Sequence, residues 1–296
     1  MSINEFIDYL SLEKNYSIHT VSAYRRDLET FFDFCLENYG MDSIDEMEYP
    51  VIRSWVVDLV NSGISNRTIN RKIASLKAYY RFLQRIDKIQ TNPLAKHKAL
   101  KTPKKVEVPF SEDEILRLLT QNPFENTFEG KRDRLIIELL YVSGMRRSEL
   151  IDLKINNVDL EKGSLKVLGK RNKERILPLL PSTRPLFKDY FEARNSLAFV
   201  AEDSYVFLTK SGNKIYETLV YRIINGYFSK VSSKTKKSPH ILRHTFATHM
   251  LNHGADLNSV KELLGHSSLA STQVYTHNSI AELKKIHASA HPRNKK

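Results

Sequence analysis

The chain has 296 residues, 41% hydrophobic and 27% charged, an ordinary globular composition with room for two domains that each bury a core. Its formal net charge of +12 points to a polyanionic partner, nucleic acid before a membrane surface. The single cysteine, Cys35, rules out an intramolecular disulfide, and no apolar run approaches the roughly 18–20 residues of a membrane span, so a cytoplasmic protein is expected.

Lys and Arg are spread along the chain, which favours a folded basic surface over a basic tail. The first segment carries Ile3, Phe6, Ile7 and Leu10 at helical spacing. A second helix buries Val21, Tyr24, Leu28, Phe31, Phe32 and Cys35, with Ser17 or Thr20 to cap it and Gly40 to end it. Pro50 suits the first turn of a helix over 51–59, which Ser62-Gly63 breaks. Ser65 then caps a long helix with Ile69, Ile73, Leu76, Tyr79, Tyr80 and Leu83 on one face. Arg67, Arg71, Lys72, Lys77 and Arg81 lie on the other; such a face can follow DNA or simply be solvated, and the helix alone leaves both open. Pro93, Pro103 and Pro109, dense lysine and no apolar period then mark a linker over 101–108, so a helical domain over 1–100 precedes a second domain over 109–296.

The second domain opens on a capping box, Ser111 with Glu114. Two helices follow, broken at Ser143-Gly144, the first burying Leu135, Ile136, Leu139 and Leu140, the second Leu150 and Leu153. The period then changes to two in GSLKVLGKRNKERILPL, a β-hairpin pattern. Helices over 182–198 and 218–229 flank a short strand at 204–208; a stretch from His240 to Tyr275 and a helix over 280–290 complete the chain. The fold class expected is mainly α with a small antiparallel β-sheet in the second domain.

Cleaving a phosphodiester without a metal needs a nucleophile, cationic donors on the non-bridging oxygens, a proton acceptor and an acid for the leaving alkoxide. His240 with His244, and His249 with His253, have i,i+4 spacing that can bind zinc, but no Cys pair or HExxH motif joins them and Arg243 would repel a cation. Neither a metal nor another cofactor is expected. Arg243 follows His240 by three residues and shares its helix face. Arg146, in GMRRSEL, sits at a helix start, an anion-favouring place where a guanidinium fork suits phosphate oxygens. Either signal alone is weak; the ordered series GMRRSEL, GK hairpin, HILRH, LLGH and Tyr275 is much stronger.

With these motifs, and with TVSAYRRDL in the first domain, the chain resembles the Xer-type tyrosine recombinases over nearly its whole length. The resemblance implies a two-domain clamp on double-stranded DNA, with a SAM-like core-binding domain ahead of the catalytic domain. It implies Tyr275 as the nucleophile that forms a 3′-phosphotyrosyl bond, and Arg146 and Arg243 as the clamp on the phosphate. Lys170 would protonate the 5′-oxygen, with Lys173 as its rival. His240 would accept the Tyr275 proton or hold it in place, His266 would donate to a phosphate oxygen, and Glu149 would support the site. Arg171 stands where the family usually has Gly, so it either reshapes the hairpin tip or adds a phosphate contact. Arg67, Arg71, Lys72 and Lys77 are DNA-binding candidates. The resemblance further implies a homo- or heterotetramer with a paralogous recombinase on DNA, a DNA translocase as activator, and a C-terminal segment from about 280 to 296 that docks on a neighbouring subunit. The function implied is resolution of chromosome dimers at a terminus-region site during cell division, with the integrase or transposase of a mobile element as its rival. A type IB topoisomerase lacks the GMRRSEL and LLGH context, and a DNA-binding protein without catalysis would lack one of the key side chains.

Overall fold

The computed structural model describes residues 2–103, 107–121, 123–169, 174–265 and 277–294. The chain divides into two units, Met1–Lys105 and Val106–Lys296.

The first unit is helical. α1 (Ser2–Asp8) runs into a π-helical turn (Tyr9–Glu13), followed by α2 (Ile18–Tyr39), α3 (Tyr49–Asn61) and α4 (Asn66–Arg85). The boundaries have local causes. The Ser17 side chain accepts the Thr20 amide to start α2, and Gly40 ends it with φ 63°, a left-handed conformation only glycine adopts cheaply. Ser65 caps α4 by accepting the Thr68 amide. Leu28, Phe31, Trp55, Ile69, Leu76 and Tyr80 are fully or almost fully buried between these helices. The lysine-rich stretch that follows begins as part of this unit: Leu94 is buried, and Asn70 of α4 holds the Leu100 backbone with two hydrogen bonds of 2.8 and 2.9 Å.

The second unit is built around α6 (Phe128–Ser143), whose sides are nearly all buried. α5 (Glu112–Thr120) precedes it, with the Ser111–Glu114 capping box in place. After α7 (Arg147–Ile151), the strands β1 (Val158–Asp159), β2 (Ser164–Leu168) and β3 (Glu174–Pro178) form an antiparallel sheet in the order β1-β2-β3. Val167 pairs with Arg175 and Leu168 with Glu174 in the β2–β3 register. α8 (Thr183–Asn195), α9 (Glu217–Ser229), α10 (Pro239–Asn252), α11 (Leu257–Leu264) and α12 (His277–Ala290) follow. The architecture is mainly α with a small antiparallel sheet, as expected.

Residues 204–208 do not form the expected strand. They bond to 153–155 on one side and to 213–215 on the other, with the isolated bridges Lys154 to Tyr205 and Leu208 to Lys214. One bridge on each side does not make a ladder, so the apolar run is buried without becoming a strand.

α12 packs on its own unit. Leu283, His287 and Ala290 are buried, and the His287 Nε2–H donates to the Val142 carbonyl of α6 at 2.6 Å. His291 Nε2 lies 3.4 Å from the Tyr141 carbonyl, and Arg293 Nε donates to Glu138 at 2.7 Å. Burial pushes His287 down to about 4 and His291 well below the ordinary imidazole value, so both are neutral near pH 7.

Candidate active site

α6 ends at Gly144, where φ is 59° and a Cβ would stand 2.2 Å from the Phe246 ring of α10. Only glycine meets both demands, and the close approach brings α10 against the turn that presents Arg146. Arg146 is the N-cap of α7. Glu149, one turn on, is 3% exposed and accepts the Arg146 backbone N–H at 2.7 Å and its Nη1–H at 2.8 Å. The sequence spacing of these two residues thus becomes a direct contact.

Arg243 projects from α10 to the same place. Its two Nη groups donate to the carbonyls of Gly144 and Leu264, each at 2.6 Å. Arg146 Nη2 donates to the carbonyl of the next residue, Gly265, at 2.9 Å. The C-terminal end of α11, where the helix dipole is negative, therefore gathers both arginines. Gly265 closes that helix with φ 63°.

A third arginine, Arg175 of β3, completes the group, and sequence reasoning missed it. It is 5% exposed, binds both Glu149 oxygens through Nη1 and Nη2, and donates from Nε to the Leu263 carbonyl at 3.3 Å. A signal was available. β3 alternates, and Arg175 shares its inward face with the buried Leu177. An arginine at an inward position needs a buried carboxylate.

Three guanidiniums against one carboxylate leave a local excess of two positive charges. Burial, then the charges of Arg146 and Arg175, lower Arg243 to about 10, with Glu149 opposing; it stays protonated at neutral pH. Burial raises the Glu149 carboxyl, but the hydrogen bonds and charge of Arg175, joined by the bonds from Arg146, outweigh it and hold the carboxyl below its ordinary value. Such a seat suits an oxyanion with several acceptor oxygens, such as a phosphodiester.

His240 lies one turn before Arg243 on α10. Its side chain is 77% exposed, with Nε2 3.4 Å from a Glu107 carboxylate oxygen that shares its group with Lys236. His249, one of the four helix-spaced histidines considered for zinc, is buried between the Tyr141 hydroxyl at 3.0 Å and the Phe110 carbonyl at 2.9 Å. Lys170, Arg171 and Lys173 fall between β2 and β3 and lie outside the described residues, as do His266 and Tyr275.

In the first unit, Arg67 of α4 is exposed. Arg71 and Lys72 are engaged by Asp27 of α2, a carboxylate only 1% exposed: Arg71 bonds one oxygen, which also accepts Ser75 Oγ at 2.8 Å, and Lys72 Nζ lies 3.5 Å from the other. Lys72 is 12% exposed, with its ammonium 5.8 Å from the centre of the Trp55 ring. The helical face that looked uniformly basic is therefore mixed: Lys72 is largely a core cation.

The phage integrase family profile matches residues 108–282, and the phage integrase N-terminal SAM-like domain profile matches residues 3–86. The chain belongs to the phage integrase family, the tyrosine-type site-specific recombinases. Within it, the chain is similar to the tyrosine recombinase XerC of Chlorobaculum parvum, at 41% identity over 98% of this chain and 94% of that protein. The XerC of Bacillus subtilis is 38% identical over 97% of this chain and 95% of that one, and the XerD of Staphylococcus aureus (strain N315) 36% over 98% of each. Among solved structures, the XerH recombinase in a post-cleavage complex with its difH substrate shares the fold, with a TM-score of 0.73 at 21% identity, covering 97% of this chain and 84% of that one.

Proposed function

We propose that this recombinase cleaves and rejoins double-stranded DNA at a specific site through Tyr275, and that the site lies in the chromosome terminus region, where recombination resolves chromosome dimers at cell division. The observation that carries the reading is the convergence of Arg146 and Arg243 on the carbonyls of Leu264 and Gly265, immediately before His266 and ten residues before Tyr275 in the sequence. The similarity to XerC and XerD proteins supports the cellular role.

In this mechanism the Tyr275 oxygen attacks the scissile phosphorus, and the bond from phosphorus to the 5′-oxygen breaks. A 3′-phosphotyrosyl bond and a free 5′-hydroxyl result. Arg146 and Arg243 donate to the non-bridging oxygens as charge builds on them, and His266 adds a donor. Lys170 protonates the departing 5′-oxygen, with Lys173 as its rival; His240 takes the Tyr275 proton or orients the phenol. A phenol with a pKa near 10 needs that help at neutral pH. The covalent bond stores the phosphodiester linkage, so a 5′-hydroxyl can reverse the attack without ATP. Glu149 keeps Arg146 in place, while Arg67, Lys77 and, from the hairpin, Arg171 supply backbone contacts to DNA. The enzyme works in the cytoplasm as a tetramer on two DNA sites, with itself or a paralogue, under activation by a DNA translocase. The segment from about 280 to 296 exchanges between neighbouring subunits in that assembly.

The test is covalent trapping on a nicked suicide substrate built from a candidate terminus site, with and without a paralogous recombinase. Wild-type protein should form a gel-shifted adduct, and Tyr275→Phe should bind the same DNA without one. An adduct with Tyr275→Phe would refute the assignment of the nucleophile.

A further inference from the structure

The buried arginine of β3 has no part in the reaction as derived above. Its partners are nevertheless those of the phosphate clamp. Arg175 occupies both oxygens of Glu149, the carboxylate that also binds Arg146, and reaches the Leu263 carbonyl. The carbonyls of the last two residues of α11 and of its C-cap are thus shared out in order: Leu263 to Arg175, Leu264 to Arg243 and Gly265 to Arg146. The three arginines come from β3, α10 and the start of α7. Arg175 also runs close beneath the helix end, where a Cβ on Gly265 would lie 3.0 Å from its Cδ. At 5% exposure Arg175 cannot itself reach a DNA phosphate.

Resting on the proposed recombinase chemistry, we infer that Arg175 is a positioning residue: it ties the β2–β3 hairpin strand to Glu149 and to the end of α11, and so sets the register between hairpin and phosphate clamp. The fork geometry is essential. A guanidinium can hold two carboxylate oxygens and a carbonyl at once in one plane, whereas an ammonium is a point donor. Displacing a reacting group by about 1 Å costs on the order of 100-fold in rate.

The experiment compares wild type with Arg175→Lys, which keeps the charge and loses the fork, and with Arg175→Gln, which loses both but leaves Glu149 its bonds from Arg146. Thermal unfolding reports folding, titration with duplex DNA reports affinity, and single-turnover adduct formation at saturating DNA reports the chemical step. The expected result is folded protein, DNA affinity within about threefold of wild type, and an adduct rate reduced about 10- to 100-fold in both variants. An adduct rate within about threefold of wild type in either folded variant overturns the inference, and so does failure of both variants to fold, which would make Arg175 a stability element only. Adduct formation by wild type but not by Tyr275→Phe keeps the recombinase reading standing whatever Arg175 does, whereas no adduct from wild type removes both.

Discussion

Replacing Glu149 by Gln keeps the shape of the side chain and removes its charge, so it isolates what the carboxylate does. In the folded protein Glu149 accepts hydrogen bonds from both Nη groups of Arg175, from Arg146 Nη1 and from the Arg146 backbone. An amide offers one oxygen where the carboxylate offers two, and turns an N–H donor toward a guanidinium. Arg175, 5% exposed, would be left as a buried cation without a counter-ion. Breaking a buried pair in this way costs about 3–5 kcal/mol. For a unit of this size each kcal/mol lowers Tm by about 2–4 °C, so differential scanning calorimetry at pH 7.5 should show a fall of roughly 6–20 °C in the transition of the second unit. The depressed carboxyl also fixes the sign with pH. Its contribution is complete above the ordinary carboxylate range and fades as pH falls through the lower folded value, so the gap between variant and wild type should narrow on acidification. A fall of less than about 2 °C at pH 7.5 would show that Glu149 does not neutralise the arginine cluster and would refute the reasoning.

Three further outcomes are expected. The folded pKa of His287 is depressed to about 4, so the unfolded chain takes up the proton first as pH drops below the usual imidazole value; this group alone should remove roughly 2 kcal/mol of stability by pH 5, and His287→Gln should flatten denaturant midpoints between pH 7 and 5. Arg67→Ala should weaken DNA binding and reduce the slope of log K against log salt by about 1, whereas Lys72→Met should leave the slope unchanged and lower Tm; equal slopes for both variants would contradict the division drawn on α4. Gly144→Ala combines a left-handed backbone, worth about 1–2 kcal/mol, with a Cβ driven into Phe246, and urea unfolding should show a loss beyond the backbone cost alone.

Features with local causes were legible in the sequence. The Ser111–Glu114 box, the Ser65 cap and the Gly40 and Gly144 helix ends each depend on residues a few positions apart, and each is present in the fold. What escaped was set by distant partners. Arg175 looks like one more charge in a basic hairpin until Glu149 and the end of α11 fold onto it. Lys72 shares the helical face of Arg67, and only Asp27 on another helix reveals it as a core cation. Residues 204–208 have strand composition, yet a strand needs neighbours that pair over more than one residue.

The two histidines at the C-terminal end have a consequence beyond acid stability. The carbonyls that face them, Tyr141 and Val142, belong to the last turn of α6, and the chain passes from there through Ser143, Gly144 and Met145 to Arg146. The free end of that helix therefore satisfies its backbone acceptors with side chains from the far terminus of the protein. If α12 lifts away, those acceptors must find water or new donors only four residues before the first arginine of the clamp. The seat of the terminal helix and the turn that presents Arg146 are thus two sides of one helix end.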